Sequence, residues 1–290
     1  MKYLIYSTDP VSELIGEILV KELSRFDIRS EIFTATSKEE GLQQLKNQSY
    51  DLLVEIAADA ENRFTKLCRK TNTKRVLLHQ SINHQKGDSS NTKVVDLIIR
   101  DLPGEMETLY FGSPLIDVVK SSSSIGESMV TNLPKVALIE EFGKSKGIVR
   151  SLEKLATNQF QLLKVDLVSD FGAGIRSIQN SHASIATGNL GELVSLQLNT
   201  PTIRVNRFSL FRKSDFSLLN TIADQPIILV HGQRQKVLIE SSLGKILNDH
   251  NYCAGILQDY QSMKDQIGTE PSVRRIAQHL IDWLEQVKQL

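Results

Sequence analysis

Lys2-Tyr3-Leu4-Ile5-Tyr6-Ser7-Thr8-Asp9-Pro10-Val11-Ser12-Glu13-Leu14-Ile15-Gly16 decides how the rest of the chain is read. Tyr3 to Tyr6 is a short apolar run, the pattern of a strand buried on both faces. Polar Ser7-Thr8-Asp9 interrupts it. From Ser12 to Ser24 the residues Leu14, Ile15, Ile18, Leu19 and Leu23 recur at helical spacing and form one apolar face. Ser12 is the expected N-cap, with Glu13 in the first turn. A buried strand running straight into an amphipathic helix is the repeating half of a parallel α/β sheet.

The same alternation spreads outward. Strands are expected at Glu31–Ala35, Asp51–Ala57, Arg75–His79 and Val94–Arg100. Helices are expected at Lys38–Lys46, capped by Ser37, and at Asp59–Lys70. Ser121-Ser122-Ser123-Ser124-Ile125-Gly126-Glu127-Ser128 is small and polar, the composition of an interdomain linker. Beyond it the pattern restarts, with strands at Lys135–Ile139, Gln161–Val168, Ser184–Ala186, Thr202–Val205 and Ile227–Val230. Helices are expected at Gly147–Ala156, Ala173–Asn180, Gly191–Leu198, Ser241–Asn248 and Val273–Val287, the last with Pro271 and Ser272 at its start. The fold class is therefore α/β, with two Rossmann-like parallel-sheet lobes. The first spans residues 1–122 and the second 129–268, and residues 269–290 form a closing helix expected to pack back on the first lobe.

Composition narrows the function classes. The chain has 290 residues, 40% apolar and 23% charged, enough to bury a core without staples. Cys68 and Cys253 are far apart and form no CxxC, which argues against a disulfide framework or a zinc site. Basic and acidic residues balance at 34 each, so bulk charge gives no reason to expect nucleic acid. The start of the chain lacks a signal-peptide pattern and no apolar run has membrane-spanning length. A cytoplasmic protein is expected, and peripheral contact with the inner membrane stays open.

Several stretches, in order, resemble lipid-A-disaccharide synthase, the glycosyltransferase family with the GT-B architecture of two lobes facing a cleft. Thr8-Asp9-Pro10-Val11-Ser12-Glu13-Leu14-Ile15-Gly16 looks like the family's Gly-Glu-Pro-Ser-Gly-Asp-Leu-Ile-Gly. Val94-Val95-Asp96-Leu97, with Leu102-Pro103 and Glu105, is similar to its AVDLVLALLPFE stretch. Phe111-Gly112-Ser113-Pro114-Leu115-Ile116-Asp117 is similar to VGHPLAD. Ala183 to Gly188, ending in Asn199-Thr200-Pro201, is similar to AALVASGTATLEAALLGTP. The resemblance implies transfer of an N-acetylglucosamine-type sugar from a UDP-sugar donor to a lipid or saccharide acceptor. It implies no metal and no cofactor beyond the UDP-sugar substrate. The departures fall on the chemistry. Aligning Asp59 with the second Asp of the family's GIDAPDF puts Ile56 at the catalytic position. Glu140-Glu141-Phe142-Gly143-Lys144-Ser145-Lys146 replaces the Pro-Gly-Ser-Arg loop, and its lysines lack the bidentate geometry of Arg.

The candidate site residues follow from strand ends. Thr187-Gly188-Asn189-Leu190-Gly191-Glu192 leaves a strand and opens a helix. Its glycines let backbone approach a ligand, and free N–H groups favour a diphosphate. Glu192 is placed to bind a hydroxyl pair. The plainer alternative is an ordinary strand-to-helix turn. Lys144 and Lys146 would put cationic charge beside that diphosphate, or form a solvated loop. Asp59, Glu55 and Asp9 are the candidate catalytic carboxylates, and Glu13 and His79 the candidate substrate ligands in the first lobe. For Asp9, Glu13 and Asp59 the alternative is a helix cap or first-turn charge. Phe208, Leu210 and Phe211, interleaved with Arg207, Arg212 and Lys213, could suit an acyl chain or membrane surface, or a partly buried loop with snorkelling cations. Two rivals to the transferase stand: a catalytically degenerate homologue that binds a ligand or partner, and an epimerase-like hydrolase of the same fold.

Overall fold

The structure, a computed structural model, describes residues 1–57, 60–80, 95–100, 109–123, 133–141, 146–206, 217–223, 227–232, 235–268 and 271–289. These form two compact units, one made of Met1–Val118 with Ile267–Leu290 and the other of Val119–Gln266.

The first unit is a six-stranded, wholly parallel sheet. Its strands are β1 (Lys2–Ser7), β2 (Glu31–Ala35), β3 (Leu52–Ala57), β4 (Lys74–His79), β5 (Leu97–Arg100) and β6 (Leu109–Tyr110), in the spatial order β2-β1-β3-β4-β5-β6. Every residue of β3 is buried, as helices on both faces require. Helices α1 (Pro10–Phe26), α2 (Lys38–Asn47), α3 (Asn62–Thr71) and α4 (Pro114–Ser122) follow β1, β2, β3 and β6. The buried apolar side chains of α1 are Val11, Ile15, Leu19 and Leu23, which is the predicted stripe less Leu14 and Ile18 and with Val11 added. Its N-cap is Asp9, not Ser12. The Asp9 carboxylate accepts from Val11 and Ser12 N–H at 3.0 Å each, and Pro10 opens the helix, where no amide donor is needed.

The second unit is a five-stranded parallel sheet. Strands β7 (Lys135–Ile139), β8 (Gln161–Val165), β9 (Ala183–Ala186), β10 (Thr202–Asn206) and β11 (Leu229–Gly232) lie in the order β11-β10-β9-β7-β8. Helices α5 (Lys146–Gln159), α6 (Phe171–Gln179), α7 (Asn189–Gln197), α8 (Leu218–Ile222), α9 (Lys236–Asn248) and α10 (His250–Ile267) connect and extend it. One core packs Val136, Leu138, Ile185 and Ile203 of the sheet against Leu152 and Leu243 of the helices. The last helix, α11 (Ser272–Gln289), belongs to the first unit and packs along α1. Its start is fixed by Asp117, whose Oδ2 accepts from Val273 N–H at 2.7 Å.

Two sequence expectations are revised. Ser121 and Ser122 close α4 instead of opening a linker, and residues 124–128 of that stretch lie outside the described residues. The helix expected from Asp59 is α3, Asn62–Thr71, capped by Glu61, which accepts from Arg63 N–H, and Asp59 itself lies outside the described residues.

Candidate functional site at the switch point of the second lobe

Each sheet reverses its strand order once. In the first lobe the reversal lies between β1 and β3, and in the second between β7 and β9. Helices leave the sheet toward opposite faces at that point, which leaves a crevice beyond the carboxyl ends of the strands. Ile139 and Ala186, the last residues of β7 and β9, are paired in register. The residues that follow them, Glu141 and Thr187–Glu192, are therefore neighbours although about fifty positions apart.

Thr187 ties the two strand ends together. Its hydroxyl donates to Ile139 O at 3.2 Å and accepts from Glu141 N–H at 3.2 Å. Gly188 is the N-cap of α7 in extended backbone, and no side chain of its own caps the helix. Asn189 opens α7 and is 8% exposed. A Cβ on Gly188 would overlap the Glu141 carboxyl group. The Glu141 carboxylate accepts from Gly191 N–H at 2.6 Å. Burial pushes its carboxyl up, while the Gly191 amide and the Arg204 guanidinium draw it back.

Glu192 is fully buried. Its Oε2 accepts from Ser217 Oγ at 2.8 Å, and its Oε1 lies 3.4 Å from Arg204 Nη1. That approach lacks hydrogen-bond geometry, so neither atom has a hydrogen-bond partner among the described residues. Burial lifts the Glu192 carboxyl to about 7, with Arg204 and Ser217 opposing the shift. The expected hydroxyl-binding role meets a side chain turned inward, under α8, because Glu192 sits on the helix face that packs into the lobe. Arg204 spends its Nε on Asn206 Oδ1 at 3.0 Å.

The first lobe presents its carboxylates differently. Asp9 is occupied as a cap, and also accepts from Ser12 Oγ at 2.5 Å. Ser12 Oγ in turn lies 3.0 Å from Gln80 Oε1. Glu13 stands in the first turn of α1. Glu55 is fully buried and paired with Arg75 on the next strand, and its Oε2 also accepts from Glu61 N–H at 2.9 Å. Glu55, a catalytic candidate from the sequence, thus has both carboxylate oxygens engaged inside the lobe, by Arg75 and by Glu61 N–H. Ile56 beside it is fully buried. His79 ends β4, half-buried. Asp59 and Lys144 lie outside the described residues, as does the side chain of Lys146, which opens α5. Residues 207–213 are also outside them.

Glu141 and Arg204 are the site residues that sequence reading missed. A helix opening at a glycine with no capping side chain was a signal that an anion must come from elsewhere. An arginine inside the apolar strand Thr202-Ile203-Arg204-Val205 was a signal for a buried partner. A cavity of about 210 Å³ lies beside Thr65, Arg69, Lys74 and Asp96, at the amino ends of β4 and β5 in the first sheet. Among the described residues no cluster of His, Cys, Asp and Glu is placed to hold a metal ion, and no helix is long and apolar enough to cross a membrane.

Two parallel Rossmann-like lobes of six and five strands define the GT-B fold class. Solved structures share it along the chain. Staphylococcus aureus MnaA in a co-structure with UDP has a TM-score of 0.69 at 11% identity, covering 98% of this chain and 97% of that one. A UDP-GlcNAc 2-epimerase from Methanocaldococcus jannaschii, in complex with UDP-GlcNAc and UDP, gives 0.62 at 9%, covering 97% and 99%. MurG from Acinetobacter baumannii gives 0.56 at 9%, covering 98% and 99%. No family model matches the chain, and no curated protein does.

Proposed function

We propose that the chain uses a UDP-sugar, moving an N-acetylglucosamine-type sugar to a lipid or saccharide acceptor in the manner of lipid-A-disaccharide synthase. The observation that carries the donor class is the start of α7: glycine-flanked amides at the switch point, already holding an anionic group. A leaving diphosphate is stabilised by such preorganised donors. Solved proteins of this fold in complex with UDP and UDP-GlcNAc support the same class. Arg204, with its unspent Nη1, supplies the nearby cation that the lost Pro-Gly-Ser-Arg loop does not. A base is needed to deprotonate the acceptor hydroxyl as it attacks the anomeric carbon. Asp59 is our candidate, since Asp9 and Glu55 are engaged elsewhere.

A second reading is a degenerate homologue that binds without catalysis. It is favoured by the engagement of Asp9, Glu55 and Glu192 in the fold itself. Calorimetric titration with UDP and UDP-N-acetylglucosamine tests the donor class. Saturable binding at micromolar to low-millimolar concentration is expected. Absence of heat and of any thermal shift with both would end the UDP-sugar reading. With binding in hand, Asp59→Asn should reduce turnover and leave donor affinity unchanged. Full turnover in that variant would remove Asp59 as the base.

A further inference from the structure

Glu141 has no part in the reaction just described, yet it occupies the centre of the site. It follows the first strand of the second lobe and its carboxylate sits at the N-terminus of a helix that starts elsewhere in the chain. Both Gly191 and Leu190 amides interact with it. Gly188 lets it come close, because any side chain there would collide with it. Backbone N–H groups at a helix start, with the helix dipole behind them, are where a phosphate is normally received.

A second observation points the same way. Glu192, fully buried in the first turn of α7, keeps Oε1 without a hydrogen-bond partner among the described residues, and Arg204 Nη1 opposite it has none among them either. The Arg204 charge acts on both Glu192, 3.4 Å from its Nη1, and Glu141. Arg204 Nη1 thus keeps donor capacity that an anionic oxygen can take up.

We propose that the Glu141 carboxylate is an intramolecular stand-in for a ligand phosphate, and that a diphosphate-class anion binds at the start of α7 by displacing it. The free protein keeps the site satisfied with its own charge. The ligand must compete with a tethered group, which weakens apparent affinity until Glu141 moves aside. The identity of the displacing ligand rests on the UDP-sugar reading above, whereas the displacement itself rests only on the geometry of β7, β9 and α7. The Asp117 carboxylate that fixes α11 shows what a purely structural cap looks like. It reaches Val273 N–H and Ser272 Oγ away from any sheet switch point.

Inorganic pyrophosphate, titrated calorimetrically into the wild type, Glu141→Ala and Glu141→Gln, tests the proposal. Glu141→Ala should bind pyrophosphate roughly tenfold tighter than the wild type, the scale of one charge-assisted hydrogen bond released from competition. Glu141→Gln should fall between the two, since the neutral amide still fills the space. Unchanged pyrophosphate affinity in a folded variant, with only its thermal midpoint lowered, makes Glu141 a plain cap and overturns the proposal. If Glu141→Ala does not fold, Glu141→Gln alone decides, because it removes the charge and keeps the volume. UDP titrated in parallel separates the two claims. UDP binding to the wild type with no pyrophosphate gain in the variants overturns the displacement and leaves the donor reading intact. A pyrophosphate gain with no UDP binding does the reverse.

Discussion

Among the described residues each lobe buries one glutamate–arginine pair, and the two pairs are built to different standards. In the first lobe Glu55 of β3 and Arg75 of β4 meet side by side. Arg75 Nη2 reaches Glu55 Oε2 at 3.0 Å, its Nε pairs with Oε1, and Nη1 reaches Thr65 Oγ1 at 2.6 Å. In the second lobe Glu192 and Arg204 stand 3.4 Å apart, and the facing atoms make no hydrogen bond. Bidentate, saturated pairing returns much of the cost of desolvating two charges, and removing one partner leaves the other stranded. A loosely met pair returns less and keeps donors and acceptors for something else. Position explains the difference. Glu55 and Arg75 lie within the sheet, where packing demands closure. Glu192 and Arg204 lie where the sheet opens toward α7 and α8.

The largest expected effect sharpens this contrast. Arg75→Met should destabilise the protein by about 3–5 kcal/mol, the scale for stranding a buried charge, as measured by chemical denaturation. Arg204→Met should cost only about 1–3 kcal/mol, because Glu192 can take up a proton instead. Equal losses in the two variants would break the comparison. A smaller effect tests the protonation directly. Burial lifts Glu192 from 4.5 to about 7, so the folded state keeps a proton that the unfolded chain releases. The stability this contributes is complete below the unfolded value and is lost as pH rises through about 7. Between pH 5 and pH 8 the thermal midpoint of Glu192→Gln should therefore fall less than that of the wild type. Parallel curves would mean that Glu192 does not titrate in that window. The smallest effect concerns the other helix start. Asp9→Ala should cost about 1 kcal/mol, the usual value of a local N-cap. It should leave pyrophosphate affinity unchanged, in contrast to Glu141→Ala. A gain in anion binding there would show that the two helix starts are equivalent after all.

The strand–helix alternation was legible because buried parallel strands are near-continuous apolar runs, and β1, β3, β4, β7 and β10 all announce themselves in that way. Ser37 was readable as the cap of α2 because its contact, Glu40 N–H, is three residues away. Four elements were harder: β6, α4, α10 and the five-residue α8. The strand β6 has only two residues. The helix α4 hides behind Gly112 and Pro114, residues that more often mark turns. The helix α10 carries Gly255 in its interior and too mixed a face to stand out. The site resisted for a different reason. Thr187 to Gly191 could be singled out from glycines after a strand. The partner that fills it, Glu141, is brought there only by the pairing of β7 with β9. Glu192 looked like a ligand residue by position, and its burial depends on where Ser217 and Arg204 come to rest. Local chemistry is written locally, whereas the satisfaction of a buried charge is a property of the closed sheet.

The first unit has one further consequence, which concerns the order in which a ribosome delivers it. Its sheet and α1 come from residues up to 118, but its outer layer is α11, drawn from residues beyond 266. The α11 side chains Val273, Ile276, Leu280 and Leu284 are buried. Until they emerge, part of the apolar surface of the first unit has no cover. The whole second unit must be synthesised in between, so the nascent chain carries an unfinished lobe through that interval, the kind of exposed surface that chaperones hold.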